Sequence, residues 1–393
     1  MAVARIRYTF IPDRRLSGVD TYDTIVLGVG GMGSAAAYHL AARDQDVLGI
    51  ERYDIPHTRG SSHGITRIIR KPLFEDSGYV PLVQRSLDLW TDLEESYGRQ
   101  LFYRTGSIDF GPPDSEVVRG SERSCAVHDL DHTILTGEEL TARPGAHDVP
   151  DDYRAVYQPD GGFLHSDQCI VAHVEGAHDH GAIIRAREAV TDWTADESGV
   201  QVTTDRGEYA ADTLVVTAGA WTGRLCPTVA EYLAPERNVL GWFQPTDPAQ
   251  FDRENFPVFV ADVPEGNFYG FPTFEVPGFK FGKHHHRGET GTPEELAREP
   301  TRDDEAILRS FADRYMPAGT GPTMQLSTCM YTNTPDRDFI LDFHPEHPNV
   351  VLGAGFSGHG FKFAPAVGEV LADLAVAGGT DHPTGMFELS RFA

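Results

Sequence analysis

Two neighbouring stretches of the sequence decide the fold: DTIVLGVGGMG at residues 23–33 and VLGIE at residues 47–51. The apolar runs at 24–27 and 47–50 predict two buried strands, because each is short and bounded by polar or glycine residues. Between them, residues 35–42 predict a helix. Together these elements form a complete βαβ unit, which predicts a parallel sheet and a Rossmann-like α/β fold.

The turn between the first strand and the helix carries three glycines at the spacing of a dinucleotide-binding motif. Gly28 allows the tight turn, Gly30 lets the backbone approach a pyrophosphate, and Gly33 lets the helix pack closely on the strand. The helix N-terminus then faces the phosphates. Glu51 can accept hydrogen bonds from both ribose hydroxyls, and Arg52 follows it in the predicted cofactor site. An acid at this place favours a ribose without a 2′-phosphate, so FAD and NAD remain candidates and NADP does not.

The chain is long and strongly acidic. At 393 residues it exceeds the size at which one hydrophobic core keeps growing, so we expect two interleaved domains. A formal net charge of −26 excludes nucleic acid and anionic lipid as favoured partners, since both require a basic surface. Few lysines and an acidic surplus suggest a protein kept soluble in high salt, although a GC-rich genome would also favour arginine. No apolar run is long enough to span a bilayer.

The cysteines and the N-terminal residues fit a cytoplasmic protein. Cys125, Cys169, Cys226 and Cys329 are far apart, with no C-x-x-C spacing, so we expect neither a disulfide framework nor a structural zinc site. Residues 1–20 contain no apolar stretch long enough for a secretory signal, and we expect a loose extension there.

Three further regions predict the remaining framework. Residues 79–97 have apolar side chains at helical spacing, which indicates a core helix without chemistry. A turn at 205–207 predicts a hairpin that joins a strand at 199–204 to one beginning at Glu208. The strand that follows ends at Ala218 and Gly219, where a second backbone segment could approach the dinucleotide.

A second glycine-rich loop lies near the C-terminus. A buried strand at 350–352 leads into the loop at 353–362, and Pro365 then opens a helix that Gly378 and Gly379 close. The N-terminus of this helix would also face an anion. If a flavin ring lies there, the helix dipole and the loop amides would stabilise the negative charge that the ring acquires on reduction.

The proline-rich segment at 251–316 indicates a separate lid or substrate domain. We therefore predict a Rossmann-like domain that binds FAD or NAD, interleaved with a substrate domain built on a mixed antiparallel sheet. The predicted bounds are 1–20 for the extension, 21–110, 165–235 and 335–393 for the dinucleotide-binding domain, and 111–164 and 236–334 for the substrate domain.

Seven stretches occur in the order and spacing of one known family. They are GVGGMG at 28–33, PHT at 56–58, SHGITRIIR at 62–70, YGFP at 269–272, GFKFG at 278–282, TCMYT at 328–332 and GFSGHGFK at 355–362. Together they resemble the monomeric sarcosine oxidase and N-methyltryptophan oxidase family of covalent flavoenzymes, over nearly the whole chain. The resemblance implies flavin-dependent oxidation of an N-methyl amino acid to an imine. The imine hydrolyses to an amino acid and formaldehyde, while O2 is reduced to H2O2.

The family also implies roles for individual residues. Cys329 matches the cysteine that forms a thioether to the flavin, although an isolated cysteine is more often an inert buried thiol. Arg70 and Lys362 match the two cations that hold the substrate carboxylate, for which a forked guanidinium and a point-charge ammonium are suited. Lys280 matches the lysine near the flavin that promotes reaction with oxygen, where a buried cation would stabilise superoxide.

Other residues complete the predicted site with less defined roles. His284, Tyr269 and Arg67 match positions in the active site. His63, Thr66, Arg67, Gly355, Gly358, Gly360, Phe361 and Lys362 match positions around the cofactor. The run of three histidines at 284–286 could suggest a metal, but we predict none, because adjacent strand residues point to opposite faces and we expect no carboxylate or cysteine to complete a ligand set.

Two departures and several alternatives stay open. Val260 replaces a larger methionine of the sarcosine-specific members, and Ser62 replaces a histidine, so the pocket can differ from a strict sarcosine site. The main alternative is an FAD-dependent dehydrogenase that passes electrons to a quinone or a carrier protein. A non-catalytic flavin redox sensor and an NAD dehydrogenase are further alternatives. The resemblance implies a monomer whose partners are a carboxylate-bearing amine and O2.

Overall fold

The computed structural model describes residues 19–145 and 147–392. The extension predicted for residues 1–20 lies almost entirely outside them. Within the described residues, no helix combines the length and the apolar character needed to cross a membrane.

The described chain contains more strands than helices, and several strands follow one another without a helix between them. The strands are β1 (Asp20–Leu27), β2 (Val47–Ile50), β3 (Thr66–Ile69), β4 (Phe102–Arg104), β5 (Ser107–Gly111), β6 (Thr133–Thr136), β7 (Arg154–Gln158), β8 (Gly162–His165), β9 (Ile183–Arg185), β10 (Val190–Asp196), β11 (Gly199–Thr204), β12 (Glu208–Val216), β13 (Ala234–Phe243), β14 (Val258–Val263), β15 (Gly266–Phe271), β16 (Phe279–Lys283), β17 (Thr323–Asn333), β18 (Ile340–His344) and β19 (His347–Ala354). The helices are α1 (Gly31–Ala41), α2 (Val80–Tyr97), α3 (Glu116–His128), α4 (Gly137–Ala142), α5 (Ser166–Asp179), α6 (Thr222–Leu225), α7 (Arg302–Tyr315) and α8 (Ala364–Ala377).

The first sheet is centred on β1. Its order is β10-β11-β12-β1-β2-β9, with β19 beside β12 and β18 beside β19. β1 runs parallel to both β2 and β12, as the βαβ pattern predicts. Successive residues of β1 point to opposite faces, so that Val26 joins the core beneath the helices while Ile25 and Leu27 join the core on the other face. The predicted Rossmann-like sheet is confirmed.

Helices α1 and α8 lie together against this sheet. A Cβ at Gly368 would lie only 2.6 Å from Ala35, so the two helices approach closely because Gly368 has no side chain. The glycine loop before α8 and the glycine turn before α1 are therefore brought side by side. Pro365 stands in the first turn of α8 and Gly378 ends it in a left-handed conformation with φ of 71°, as predicted.

The second sheet has eight strands in the order β17-β13-β16-β15-β14-β5-β7-β6. All its strand pairs are antiparallel except β14 with β5. Aromatic side chains dominate its core against α7, where the rings of Phe268 and Phe311 stack at 4.3 Å between centroids. This is the mixed, largely antiparallel sheet that was predicted. The domain bounds remain predictions, since sheet membership alone does not define where a domain ends.

The two larger sheets and a small third sheet position the chemically important side chains. In the second sheet, β15, β16 and β17 carry Tyr269, Lys280 and Cys329. In the third, of order β3-β8-β4, β3 carries Arg67 and leads directly into Arg70. The predicted 205–207 hairpin is present between β11 and β12.

Candidate active site

The glycine turn leaves room for a ligand at one position and allows close packing at two others. A Cβ at Gly33 would lie 1.8 Å from the Gly28 carbonyl oxygen, and Gly28 itself has φ of +90° with the Thr217 carbonyl close by. At Gly30, by contrast, a Cβ would meet only the Ser62 Oγ, at 4.0 Å. Gly30, the N-cap residue of α1, has no side chain to cap the helix, and the Gly31 amide donates to the Ser62 Oγ at 3.3 Å. The open space beside Gly30 at this helix N-terminus is what a pyrophosphate requires.

The carboxylate of Glu51 is held firmly at the end of β2. Its Oε2 accepts a hydrogen bond from the Val29 amide at 3.0 Å, and its Oε1 accepts one from the Tyr53 amide at 2.9 Å. The Nη1 of Arg52 lies 3.6 Å from the Glu294 Oε1, and its guanidinium lies over the Tyr53 ring. Arg52 still borders the same cavity.

One cavity of about 380 Å³ runs from the glycine turn to the glycine loop before α8. Most of the predicted site residues line it: Gly28, Gly30, Glu51, Arg52, Arg67, Arg70, Ala218, Gly219, Tyr269, His284, Cys329, Gly355, Gly358, Gly360, Phe361 and Lys362. The structure does not place Gly33, His63, Thr66 and Lys280 on its surface; they lie outside the lining, and Gly33 serves the contact between α1 and β1 instead.

Lys280 is a buried cation held by oxygen atoms. Its Nζ donates to the Gly64 carbonyl at 2.6 Å, to the Thr66 carbonyl at 2.9 Å and to the Thr66 Oγ1 at 2.8 Å. The ammonium also lies 4.3 Å from the centroid of the Phe271 ring. Burial, followed by repulsion from Arg67, lowers the pKa of Lys280 well below its usual value. A proton on this lysine is therefore more easily lost than on an exposed one.

Cys329 lies between β13 and the cations of β3 and β16. It is 3% exposed and pairs with Asn238 of β13. Burial raises the pKa of its thiol, while Arg67 and Lys280 act in the opposite direction. The guanidinium of Arg67 donates hydrogen bonds to backbone carbonyls, and its Nη2 lies 2.6 Å from the Ser61 carbonyl oxygen. These bonds fix the position of this cation near the thiol.

His63 lies buried beside the same cations. Its Nε2 has no hydrogen-bond partner in the part of the chain that the structure describes. Burial and the nearby charge of Arg67 lower its pKa to about 3, so the ring is neutral at physiological pH. A neutral imidazole retains one ring nitrogen as a hydrogen-bond acceptor, and this ring lies behind the cavity surface beside Arg67 and Lys280.

Two cations and one carboxylate line the opposite end of the cavity. Arg70 is 3% exposed and Lys362 is 6% exposed, and both interact electrostatically with Glu75. The Nζ of Lys362 donates to the His359 carbonyl at 2.7 Å. The Nη2 of Arg70 is 3.5 Å from the Glu75 Oε2. Burial alone would raise the pKa of Glu75, but Arg70 and then Lys362 outweigh it and lower the pKa to about 2. Burial lowers the pKa of Lys362 to about 8.

A cluster of neutral polar rings faces these charges. The Tyr331 hydroxyl lies 3.0 Å from the His284 Nδ1, and the rings of Tyr269 and His284 lie 4.6 Å apart. Burial, then the charge of His285, lowers the pKa of His284 to about 3, and burial raises the pKa of Tyr269. His284 and Tyr269 are thus uncharged, and neither is a strong base.

Sequence reasoning missed three contributors to this end of the cavity. Glu75 carries no motif, and only its spacing of five residues from Arg70 could have drawn attention to it. Asp109 lies on β5 with its Oδ1 3.4 Å from the Arg70 Nε. Trp90, which was assigned only to the core, is fully buried and also donates its indole N–H to the Lys362 carbonyl at 3.0 Å. These links depend on tertiary contacts that no local pattern reveals.

The three adjacent histidines do not form one site. The histidines follow β16 rather than extending it, and His285 has a positive φ of 52°. They therefore do not alternate between the faces of a strand, and the predicted alternation does not explain why they form no common site. Carboxylates do lie close, but His285 pairs with Glu236 at 2.8 Å and His286 with Asp304 at 3.2 Å. A different trio that could hold a metal, His344, Glu346 and His347, lies at the turn between β18 and β19.

The residues present fit FAD. The α1 N-terminus and the space at Gly30 suit a pyrophosphate, and Glu51 is fixed where a ribose is expected. The cavity continues from there, past Cys329, to the loop that ends at Lys362, so one elongated dinucleotide can occupy it.

Comparison with known proteins agrees with this geometry. The model of the family described as FAD dependent oxidoreductase (DAO) matches residues 23–374. Monomeric sarcosine oxidase from Bacillus sp. (strain NS-129) is 40% identical over 377 residues, which cover 95% of this chain and 97% of that protein. N-methyl-L-tryptophan oxidase from Yersinia pestis (strain Pestoides F) is 36% identical over 375 residues, which cover 94% and 99%.

Solved structures share the whole architecture. NikD, an unusual amino acid oxidase essential for nikkomycin biosynthesis, superimposes with a TM-score of 0.83 at 26% identity over 94% of this chain and 98% of its own. L-proline dehydrogenase from P. horikoshii has the same fold, with a TM-score of 0.83 at 24% identity over 95% and 98%. The resemblance inferred from the motifs is confirmed, and the chain belongs to the family of FAD dependent oxidoreductases.

Proposed function

We propose that this protein oxidises an N-methyl amino acid, whose carboxylate binds between Arg70 and Lys362. The observation that carries the proposal is this pair of buried cations at one end of the cavity, which face only one cavity-lining carboxylate, Glu75. A forked guanidinium and an ammonium together match an anionic carboxylate. Sarcosine oxidase and N-methyltryptophan oxidase, the relatives compared above, are named for substrates that carry this group.

The reaction requires the substrate amine to be neutral. The N-methyl C–H bond breaks with transfer of two electrons and a proton, the nitrogen lone pair forms the C=N bond, and water then releases formaldehyde and the amino acid. Bound FAD supplies the two-electron acceptor. His284 and Tyr269 are uncharged and buried, so they present hydrogen-bonding groups to the amine without holding it as an ammonium. No strong general base is needed.

We also propose that O2 is the final acceptor and that the protein acts as a monomer. Support for oxygen comes from Lys280, a buried cation that three oxygen atoms hold in place. A preorganised positive charge stabilises the anion formed when oxygen accepts its first electron. The named relatives at 36% identity or more are oxidases, and the dehydrogenase with this fold is more distant at 24%.

We further propose that FAD is attached covalently through Cys329. The thiol borders the cavity, which is the support for the attachment. Burial raises the pKa of Cys329, and the cations Arg67 and Lys280 oppose this increase and so favour the reactive thiolate form. Acid precipitation of the purified protein should leave yellow colour in the pellet, and the intact mass should rise by one FAD. In Cys329→Ser, the flavin should stay in the supernatant. Release of flavin from the unaltered protein by acid would overturn the attachment.

The test of function is a peroxide assay over a panel of N-methyl amino acids, with matched N-methyl amines that lack the carboxylate. We expect H2O2 only with the carboxylate-bearing members. Arg70→Gln and Lys362→Met should each lower kcat/KM about 100-fold, because each leaves a buried anion without one of its partners.

Lys71→Met is the matched control. Lys71 is adjacent to Arg70 in sequence but pairs with Asp160 at 2.6 Å, in a half-exposed position outside the cavity lining. Its replacement should leave kcat/KM within about twofold, since exposed ion pairs contribute little. Equal turnover of amines with and without the carboxylate would overturn the proposed substrate class.

A further inference from the structure

We infer that Asp109 is a positioning residue for Arg70: it draws the Nε edge of the guanidinium back toward β5 and so prevents Glu75 from closing the carboxylate site. The inference rests on the proposed function and adds a residue that touches neither substrate nor cofactor. In this role, Asp109 prevents the buried ion pair between Arg70 and Glu75 from shortening.

Asp109 is fixed in the interior of the second sheet. It lies on β5, opposite Val156 of β7 and beside Val260 of β14, and it is 2% exposed. Its Oδ2 accepts a hydrogen bond from the Ser121 hydroxyl of α3 at 2.5 Å. Its Oδ1 is left without a hydrogen-bond partner among the described residues and faces Arg70. The carboxylate therefore has one end anchored and the other directed at the guanidinium.

Each edge of the Arg70 guanidinium faces a different group. Nη1 donates to the Pro72 carbonyl, Nη2 lies 3.5 Å from Glu75, and Nε lies 3.4 Å from Asp109. The Cζ also lies 5.0 Å from the centroid of the Phe74 ring. Both carboxylate distances are long for a charge-assisted hydrogen bond, which is normally below about 3 Å. Arg70 is thus shared between two anions and fully paired with neither.

This balance has a direct consequence for the site. Burial raises the pKa of Asp109, whereas Arg70 and the Ser121 hydroxyl lower it and so favour the ionised form. Two anions that pull a weakly screened buried cation in different directions hold it between them, and removal of one lets the cation move toward the other. Without the charge of Asp109, Arg70 would form a close pair with Glu75, and the incoming carboxylate would have to break that pair. With Asp109 present, Glu75 is a weak competitor.

If Arg70 stayed in place, simple electrostatics would predict the opposite effect of Asp109→Asn on anion binding. Loss of a negative charge behind Arg70 would make the site more positive and would tighten anion binding. The sign of the effect therefore distinguishes a positioning role from a mere contribution to the field.

The experiment measures acetate binding to the purified holoenzyme by isothermal titration calorimetry, in the unaltered protein, Asp109→Asn, Glu75→Gln and the double variant. We expect Asp109→Asn to weaken acetate binding about tenfold, and Glu75→Gln to leave it equal or tighter. The double variant should bind acetate within about threefold of Glu75→Gln, because the competitor is then uncharged. Tighter binding in Asp109→Asn, or no rescue in the double variant, would overturn the inference.

Ser121→Ala is the control for packing, since it removes the anchor of Asp109 but not its charge. We expect it to weaken acetate binding by less than Asp109→Asn does, and an equal loss in both would overturn the role of the charge. If Asp109→Asn does not fold, Glu75→Gln still tests the inference. Weaker acetate binding in Glu75→Gln would show that Glu75 does not compete with acetate for Arg70, and would overturn the inference. Acetate binding needs no turnover. If the four proteins show the expected acetate affinities but oxidise no N-methyl amino acid, only the proposed function is contradicted.

Discussion

The two ends of the cavity are built by different means. The dinucleotide end is made largely of backbone atoms and glycines, and its motif spans residues 23–51. The substrate end is made of charged and polar side chains, among them Arg70, Tyr269, His284 and Lys362, which are far apart in the chain. The first end depends on close packing that only glycine permits. The second depends on charges that are buried and only partly neutralised, which is costly for stability but suits binding of an anion.

The largest expected effect in a test of this comparison is that of Gly33→Ala at the dinucleotide end. Its Cβ would lie 1.8 Å from the Gly28 carbonyl oxygen, so α1 must move away from β1. We expect the free energy of unfolding to fall by about 3 kcal/mol or more, with loss of flavin, because overpacking against backbone cannot relax cheaply. Denaturant unfolding and flavin content would measure both effects.

Gly30→Ala is the matched control for that change. Its Cβ meets only Ser62 Oγ at 4.0 Å, so the fold should persist with an unchanged denaturation midpoint in the flavin-free protein. Flavin content should nevertheless fall, since the methyl group enters the space left for a pyrophosphate. If Gly33→Ala were as stable as Gly30→Ala, close packing would not be what the motif provides.

The next largest effect is expected for Lys280→Met, which separates oxygen chemistry from substrate binding. Oxygen consumption should fall about 100-fold, the scale for loss of one preorganised charge-stabilising group. Turnover of the same substrate with an artificial electron acceptor should be largely retained. Lys283→Met, at the end of the same strand, should leave both rates unchanged, since the Lys283 ammonium lies over the Phe268 ring rather than against Gly64 and Thr66. Equal losses with both acceptors would place Lys280 in substrate binding instead.

The smallest effect concerns pH at the substrate end. Burial lowers the pKa of Lys362 to about 8, so its positive charge is present below that pH and lost above it. Acetate affinity should therefore fall about tenfold between pH 7 and pH 10. Lys362→Met should show weak binding with little pH dependence over this range, whereas Lys71→Met should follow the unaltered protein. An affinity that rises with pH would contradict the assignment.

The dinucleotide end could be predicted from the sequence on physical grounds. Its strands, helix and glycines are contiguous in sequence, so their periodicity and spacing predict the geometry directly. The observed α1 differs from the prediction mainly because it starts at Gly31. The α8 boundaries were equally accessible, because proline and glycine mark them. Even so, these patterns alone could not choose between FAD and NAD.

The substrate end could be predicted only through family resemblance. Nothing in the spacing of Arg70 and Lys362 indicates that they face one carboxylate, because the contact is made by the way two sheets pack. Glu75 and Asp109 escaped notice for the same reason: an acidic residue in a loop and one on a strand have no signature of their own. The charge balance of a site emerges from tertiary structure.

The hydrogen bond from Trp90 to the Lys362 carbonyl has a practical value. It couples one of the four tryptophans of the chain to the loop that carries a substrate-binding cation. Because the indole is fully buried and its N–H is committed to that carbonyl, its emission should respond to any displacement of the loop. If the loop moves when a ligand arrives, the fluorescence of Trp90 would report that movement without a label.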